Sequence, residues 1–192
     1  AVDAAGPAFE LGAHGAGRGA RAGLVQGGLG SASLDLGEGL MVGALAAVNP
    51  VGSVFMSDGR TFWAWPFEIE GEFGGRAPSG PAGGGEPMPD DSRLAGQGRL
   101  APGANTTLAV VAVNAALTAG ECKRVAMMAQ DGLARAVRPA HTPFDGDVVF
   151  ALASGEIDLG QDERLRRIAR IGSALADCLA RAIARGVYLA KG

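Results

Sequence analysis

Thr106 is placed to become a chain terminus that attacks. It follows Asn105 at the end of a Gly-, Pro- and acid-rich stretch, 71–104, that has no hydrophobic period, and the apolar run 108–113 (LAVVAV) begins almost at once after it. Scission at such a residue needs an accessible lead-in, and a rigid strand behind it must then hold the new terminus in a cleft. An alkyl hydroxyl attacks poorly at neutral pH unless a base takes its proton. The α-amine freed by scission has a pKa of about 7.7–8.0, so it can serve as base for its own side chain without a histidine. An isolated Asn-Thr pair entering a strand is ordinary; flexible approach, hydroxyl and strand together fit autocatalytic scission.

Two further places offer polar groups. Asn49 sits in VNPVG, 48–52, after a strand-like run, where a turn can aim its amide into a cleft, although Asn before Pro also serves simply to turn the chain. Asp145 and Asp147 flank Gly146 just ahead of a second apolar run, so a tight turn can direct both carboxylates to one place. There they can orient a terminal amine, stabilise its ammonium form or bind a cationic substrate. A calcium loop needs a longer series of oxygen ligands than this stretch holds. Other chemistry is weakly supported. GAGRGA, 15–20, lacks the Lys-Ser/Thr ending of a phosphate loop, and no Gly-x-Ser-x-Gly elbow occurs. Cys122 and Cys178 lack zinc or redox spacing and read as small buried hydrophobes. His14 and His141 read as structural, His141 beside the Asp turn. No metal and no cofactor are expected.

The elements that must position these groups follow from periodicity. Residues 12–30 are Gly- and Ala-rich and suit a loop or a bent strand, and strands are expected at 31–36, 40–48, 51–56, 108–113 (buried) and 147–153. Thr118 with Glu121 forms a capping box opening a helix to about 137, where Pro139 blocks continuation. A long amphipathic helix spans 164–187, with Leu165, Ile168, Ile171, Leu175, Leu179, Ile183 and Val187 inward and Arg164, Arg167, Arg170, Asp177, Arg181 and Arg185 on a solvated face. Trp63, Trp65 and Phe67 alternate on one strand-like face and read first as core. The stretch 71–104 reads as a mobile surface loop or linker.

The 192 residues suit one domain, 47% apolar and 19% charged, with 32 glycines that imply tight turns and close backbone approaches. A net charge of −3 argues against a nucleic-acid partner. No apolar run approaches the roughly 20 residues that span a bilayer, and no export signal is visible, so no membrane and a cytoplasmic location are expected.

NTTLAVVAVNAALT at 105–118 and HTPFDGDVVFALA at 141–153 resemble the P1 peptidase family of self-processing N-terminal-nucleophile hydrolases, which includes β-aminopeptidases, an L-aminopeptidase/D-esterase, pantetheine hydrolases and nylon-oligomer hydrolases. GAGRGA, GGLGSAS at 27–33 and VNPVG extend the resemblance over nearly all the chain except the linker. It implies an α+β four-layer αββα sandwich, only partly covered by this chain. Residues 1–105 would be the C-terminal part of a larger (α) chain, with the flexible linker at about 71–104, and 106–192 a smaller (β) chain. It also implies scission between Asn105 and Thr106 by an N-to-O acyl shift, then catalysis by Thr106 on a small amide or peptide substrate. In that picture Asn49 is an oxyanion donor, Asp145 and Asp147 belong to the network around the threonine, and processed α/β pairs form a homo-oligomer. Two departures stand out: the family's N-terminal part is lacking, and Leu24 or Gln26 stands where many relatives have an active-site lysine. A catalytically silent fragment or assembly subunit retaining the fold is the alternative, and little hydrolase activity is expected of this chain alone.

Overall fold

The computed structural model describes residues 6, 8–80, 87–96, 100 and 105–190. Its centre is a four-stranded sheet in the order β3-β4-β5-β6, built from β3 (Gly28–Asp35), β4 (Met41–Val48), β5 (Leu108–Ala115) and β6 (Val148–Ile157); a small ribbon of β1 (Arg21–Ala22) and β2 (Val25–Gln26) precedes it. β3 and β4 form a hairpin in which Gly28 faces Val48 and Asp35 faces Met41. β5 runs antiparallel to β4, with Ala47 opposite Leu108, whereas β6 lies parallel to β5, with Val148 opposite Leu108. A parallel pair needs a crossover, and α1 (Ala119–Ala129) and α2 (Asp131–Ala136) supply it.

The capping box at Thr118 and Glu121 forms as its spacing predicts. Arg164 clamps Glu121 from the start of α3, and this hydrogen-bonded pairing lowers the Glu121 carboxyl to a pKa of about 2. The helix predicted to reach 137 is interrupted at Gln130 and continues as the short α2.

α3 (Arg164–Ala190) lies across β3 and β4. Ile168, Ile171, Leu175, Leu179, Ile183 and Val187 are buried as the stripe requires. Close approach explains part of the glycine content: a Cβ on Gly30 would lie 1.8 Å from the Ala182 carbonyl oxygen, and one on Gly28 would lie 2.1 Å from that of Gly186. With no side chains at these positions, α3 settles directly onto the backbone of β3.

Five expectations need correction. Leu165 is 82% exposed, because it sits in the first turn of α3, ahead of the part that packs on the sheet. Arg181, expected in solvent, is only 6% exposed; Glu72 pairs with its guanidinium, which also donates to the Ser33 carbonyl. Residues 51–56 make isolated bridges at Ser53 and Phe55 instead of a strand. Trp63, Trp65 and Phe67 are half-buried rather than core, with Trp65–Phe67 a 3-10 helix and Arg138 and Arg135 stacked over Trp63 and Phe67. β5 is buried on one face only: Leu108 is exposed while Ala109, Val111 and Val113 are buried.

That asymmetry runs across the sheet. α1 and α3 cover one face, with α2 packed on α3, and the other face displays Met41, Leu45, Leu108, Val148, Phe150 and Leu152. The described parts of 71–104 contain no regular element, yet they pack against the body: Phe73 and Ser92 are buried, and Glu72 reaches Arg181 and Arg185. The rest of that linker lies outside the described residues.

Candidate active site

The candidate residues meet where β4 ends and β5 and β6 begin. The register brings Val48, Leu108 and Val148 to the same end of the sheet, and a parallel bridge between Asn105 and Asp145 carries the β5–β6 pairing into the loops. Asn49, Asn105, Thr106, Asp145 and Asp147 therefore share one neighbourhood although they come from three segments.

Gly146 is the pivot. Its N–H donates to the Asn105 carbonyl oxygen at 2.8 Å. A Cβ built on Gly146 would lie 2.7 Å from the Thr106 Oγ1 and 3.9 Å from that same carbonyl oxygen. The hydroxyl and the carbonyl it would attack thus both border one residue that has no side chain, and the carbonyl already receives a hydrogen bond of the type that stabilises developing oxyanion charge. On the other side, the Thr106 N–H donates to the Asn49 carbonyl oxygen at 3.1 Å. Asn105 is 2% exposed, and its Nδ2 has no hydrogen-bond partner.

The two aspartates do different things. Asp145 accepts from the Val51 N–H at 3.0 Å through Oδ1, and from the Thr142 N–H and hydroxyl at 3.0 and 2.6 Å through Oδ2. Both of its oxygens are engaged in joining the Asn49-Pro50 turn to the loop before β6. Asp147 accepts from the Thr107 N–H at 2.9 Å through Oδ1, one residue after Thr106, and Oδ2 lies 2.9 Å from His141 Nδ1. Its side chain is 4% exposed, and burial raises its pKa; the negative charge of Asp145 adds to the rise, while the Thr107 and His141 contacts oppose it. His141 therefore sits beside the Asp turn.

Asn49 offers two functional groups. Its side-chain oxygen accepts from the Arg21 backbone N–H at 3.0 Å, so the amide nitrogen is its donor end. Asn49 and Thr106 line a cleft of about 340 Å³ together with Ala16, Arg18, Gly19, Ala20, Ala47 and Leu108. Leu24 and Gln26 are not among its lining residues; the cation there is Arg18, inside GAGRGA. The sequence offered a hint for Gly146, a glycine between two acids ahead of a strand. For Arg93, whose guanidinium Nη2 donates to the Asn49, Pro50 and Arg21 carbonyls, it offered none, because the surrounding segment has no periodicity.

The model of peptidase family S58 matches residues 1–192. This chain belongs to peptidase family S58. It is 42% identical over 200 residues to an uncharacterized aminopeptidase of Mycobacterium tuberculosis strain H37Rv, covering all of this chain and 56% of the relative. A relative from Mycobacterium leprae strain TN, also described as an uncharacterized aminopeptidase, is 42% identical over 94% of this chain and 49% of its own length. The chain thus spans about half the length of these curated relatives. The PH0078 protein of Pyrococcus horikoshii OT3 superposes with a TM-score of 0.63 at 25% identity, over 96% of this chain and 46% of that one. The L-aminopeptidase D-Ala-esterase/amidase of Ochrobactrum anthropi, described as a variant of the Ntn-hydrolase fold, superposes with a TM-score of 0.58 at 20% identity, over 93% of this chain and 44% of that one.

These matches establish the α+β Ntn-hydrolase-like architecture. One sheet with helices on a single face makes two layers, half of a four-layer sandwich, and its other face is apolar and exposed among the described residues.

Proposed function

We propose that the protein is a self-cleaving amidohydrolase of the aminopeptidase type, which cuts Asn105–Thr106 and then hydrolyses small amide or peptide substrates through an acyl-threonine intermediate. Residues 1–105 would end the larger chain and 106–192 would form the smaller one, with processed pairs assembling as a homo-oligomer. The observation that carries the proposal is the shared border at Gly146, where the Thr106 hydroxyl and the hydrogen-bonded Asn105 carbonyl lie side by side.

In the first step Oγ1 of Thr106 bonds to the carbonyl carbon of Asn105, and its proton passes through solvent to the Thr106 nitrogen as that nitrogen departs. Charge on the carbonyl oxygen is met by the Gly146 N–H. The C–N bond then breaks, the Thr106 nitrogen takes up that proton, and an ester joins Asn105 to Oγ1. Water cleaves that ester, leaving a carboxylate on Asn105 and a free hydroxyl and α-amine on Thr106. In turnover the amine takes the proton of its own hydroxyl as Oγ1 attacks a substrate amide, and it returns a proton to the departing amine. The Asn49 carbonyl, already bonded to the Thr106 nitrogen, orients that amine, and the Asn49 side-chain amide serves as oxyanion donor from the same cleft. Asp147 fixes the backbone of Thr107 behind the nucleophile, and Asp145 fixes the turn that presents Asn49.

Intact mass analysis of the full-length protein tests this, together with amidase assays on amino-acid p-nitroanilides and amide oligomers. The wild type is expected to yield a chain beginning at Thr106. Thr106→Ala is expected to stay whole and inactive, and Thr106→Ser to retain some cleavage. Normal scission in Thr106→Ala ends the assignment of the nucleophile. A single unbroken, inactive wild-type chain favours a silent assembly subunit.

A further inference from the structure

Arg93 lies in the irregular segment before the nucleophile, and that segment is stitched to the site at several points. The Arg93 N–H donates to the Val51 carbonyl at 3.0 Å, the Leu24 N–H to the Asp91 carbonyl at 2.8 Å, and the Ser53 hydroxyl to the Asp91 carboxylate at 2.6 Å. The guanidinium Nη2 of Arg93 is 2.6 Å from the Pro50 carbonyl oxygen, 3.2 Å from that of Arg21 and 3.3 Å from that of Asn49. Its Nε is buried without a hydrogen-bond partner. The Asn49 carbonyl oxygen is the same atom that accepts from the Thr106 nitrogen at 3.1 Å. The fixed cation and that nitrogen therefore share one acceptor, and they are no farther apart than the two contacts laid end to end.

We propose that Arg93 is a positioning residue that holds the Asn49 carbonyl against the Thr106 nitrogen and, after scission, keeps the resulting α-amine in its unprotonated, proton-accepting form. This rests on Thr106 being the N-terminal nucleophile. Two physical effects act in one direction. A like charge nearby disfavours the ammonium form. An acceptor already shared with a guanidinium also has less to offer an ammonium donor than it would have if unshared.

The other charged groups around the site act against or beside it. Asp145 and Asp147 favour the ammonium, and His141 partners Asp147. Arg21 and Arg18 carry the same sign as Arg93, but both are exposed and screened by solvent. Burial, followed by the charge of Arg21, holds Arg93 below the usual arginine value, and Asp145 opposes this. An arginine guanidinium starts so far above neutrality that the group stays charged at neutral pH.

The test is the pH dependence of kcat/KM for a p-nitroanilide substrate, measured on processed full-length wild type, Arg93→Gln and Arg93→Lys. Loss of the charge in Arg93→Gln is expected to move the acid limb up by about one pH unit, giving about a tenfold loss of kcat/KM below that limb. Arg93→Lys is expected to leave the limb near its wild-type position. An unchanged limb in Arg93→Gln, or an equal shift in Arg93→Lys, overturns the proposal while leaving Thr106 as the nucleophile. Should Arg93→Gln fail to process, added guanidinium ion is expected to restore scission in Arg93→Ala; no rescue in a variant that melts like wild type overturns the proposal. An inactive wild type, or an active Thr106→Ala, defeats the nucleophile reading and this inference with it.

Discussion

Gly146→Ala separates the geometry of the nucleophile from the stability of the fold. The backbone at Gly146 does not lie in the left-handed region, so alanine is not strained there by conformation; the added carbon instead falls 2.7 Å from the Thr106 hydroxyl oxygen. Ordinary contact begins near 3.4 Å, so the hydroxyl must retreat by about 0.7 Å or rotate to another staggered well. Either movement displaces it relative to the Asn105 carbonyl that it is proposed to attack. Misplacement of a reacting atom by about 1 Å costs on the order of 100-fold in rate, so scission is expected to slow by about 30- to 100-fold. The cost in stability is that of a small overpacking at an open cleft, about 1 kcal/mol. The assay is a time course of intact mass on freshly expressed full-length protein, with thermal melting alongside. Gly43→Ala is the control, since its Cβ would meet nothing nearer than 3.5 Å. Wild-type scission by Gly146→Ala would refute the claim that the hydroxyl attacks from beside Gly146.

Asp145→Asn replaces one of two accepting oxygens and leaves the Val51 or Thr142 donors unmatched, so it is expected to lower stability by about 1–2 kcal/mol and to slow processing; thermal melting against scission rate measures both. Asp147→Asn keeps an oxygen for the Thr107 N–H and removes a charge that burial disfavours, so folding is expected to survive while processing or turnover slows. Because the folded pKa of Asp147 is raised above 3.8, the native state binds more protons than the unfolded one just above that pH. Stability therefore falls as pH rises through the window from 3.8 to the raised value, and Asp147→Asn is expected to flatten that part of a melting-versus-pH curve. Glu72→Ala leaves Arg181 buried beside only the Ser33 carbonyl and is expected to cost about 3–5 kcal/mol, read by chemical denaturation; a loss below 1 kcal/mol would show that water reaches the guanidinium.

The regular elements were legible because each is written in a local period. The apolar run 40–48 and the stripe from Ile168 to Val187 place β4 and α3 to within a few residues. The errors fall where a long-range partner decides burial. Arg181 reads as solvated on a helical wheel, and only Glu72, far away in an irregular segment, makes its burial tolerable. Leu165 reads as core, but the sheet beneath α3 does not extend under its first turn. Burial at both positions depends on what lies opposite, which period alone does not encode.

The site shows the same division more sharply. Thr106 could be named from its lead-in and the strand behind it, and Asn49, Asp145 and Asp147 from the resemblance that VNPVG and HTPFDGDVVFALA carry; the structure brings the four to one end of the sheet. What could not be read is how they divide the work. Two aspartates on either side of one glycine look equivalent in sequence, yet one braces the Asn49 turn and the other the backbone behind Thr106, because their side chains leave the turn toward different strands. The glycine between them, with the least chemistry of its own, carries the N–H and the open space that the proposed scission would use. Backbone groups contribute no residue type to a pattern, so the roles proposed for the Gly146 amide and the Asn49 carbonyl become visible only once the chain is folded.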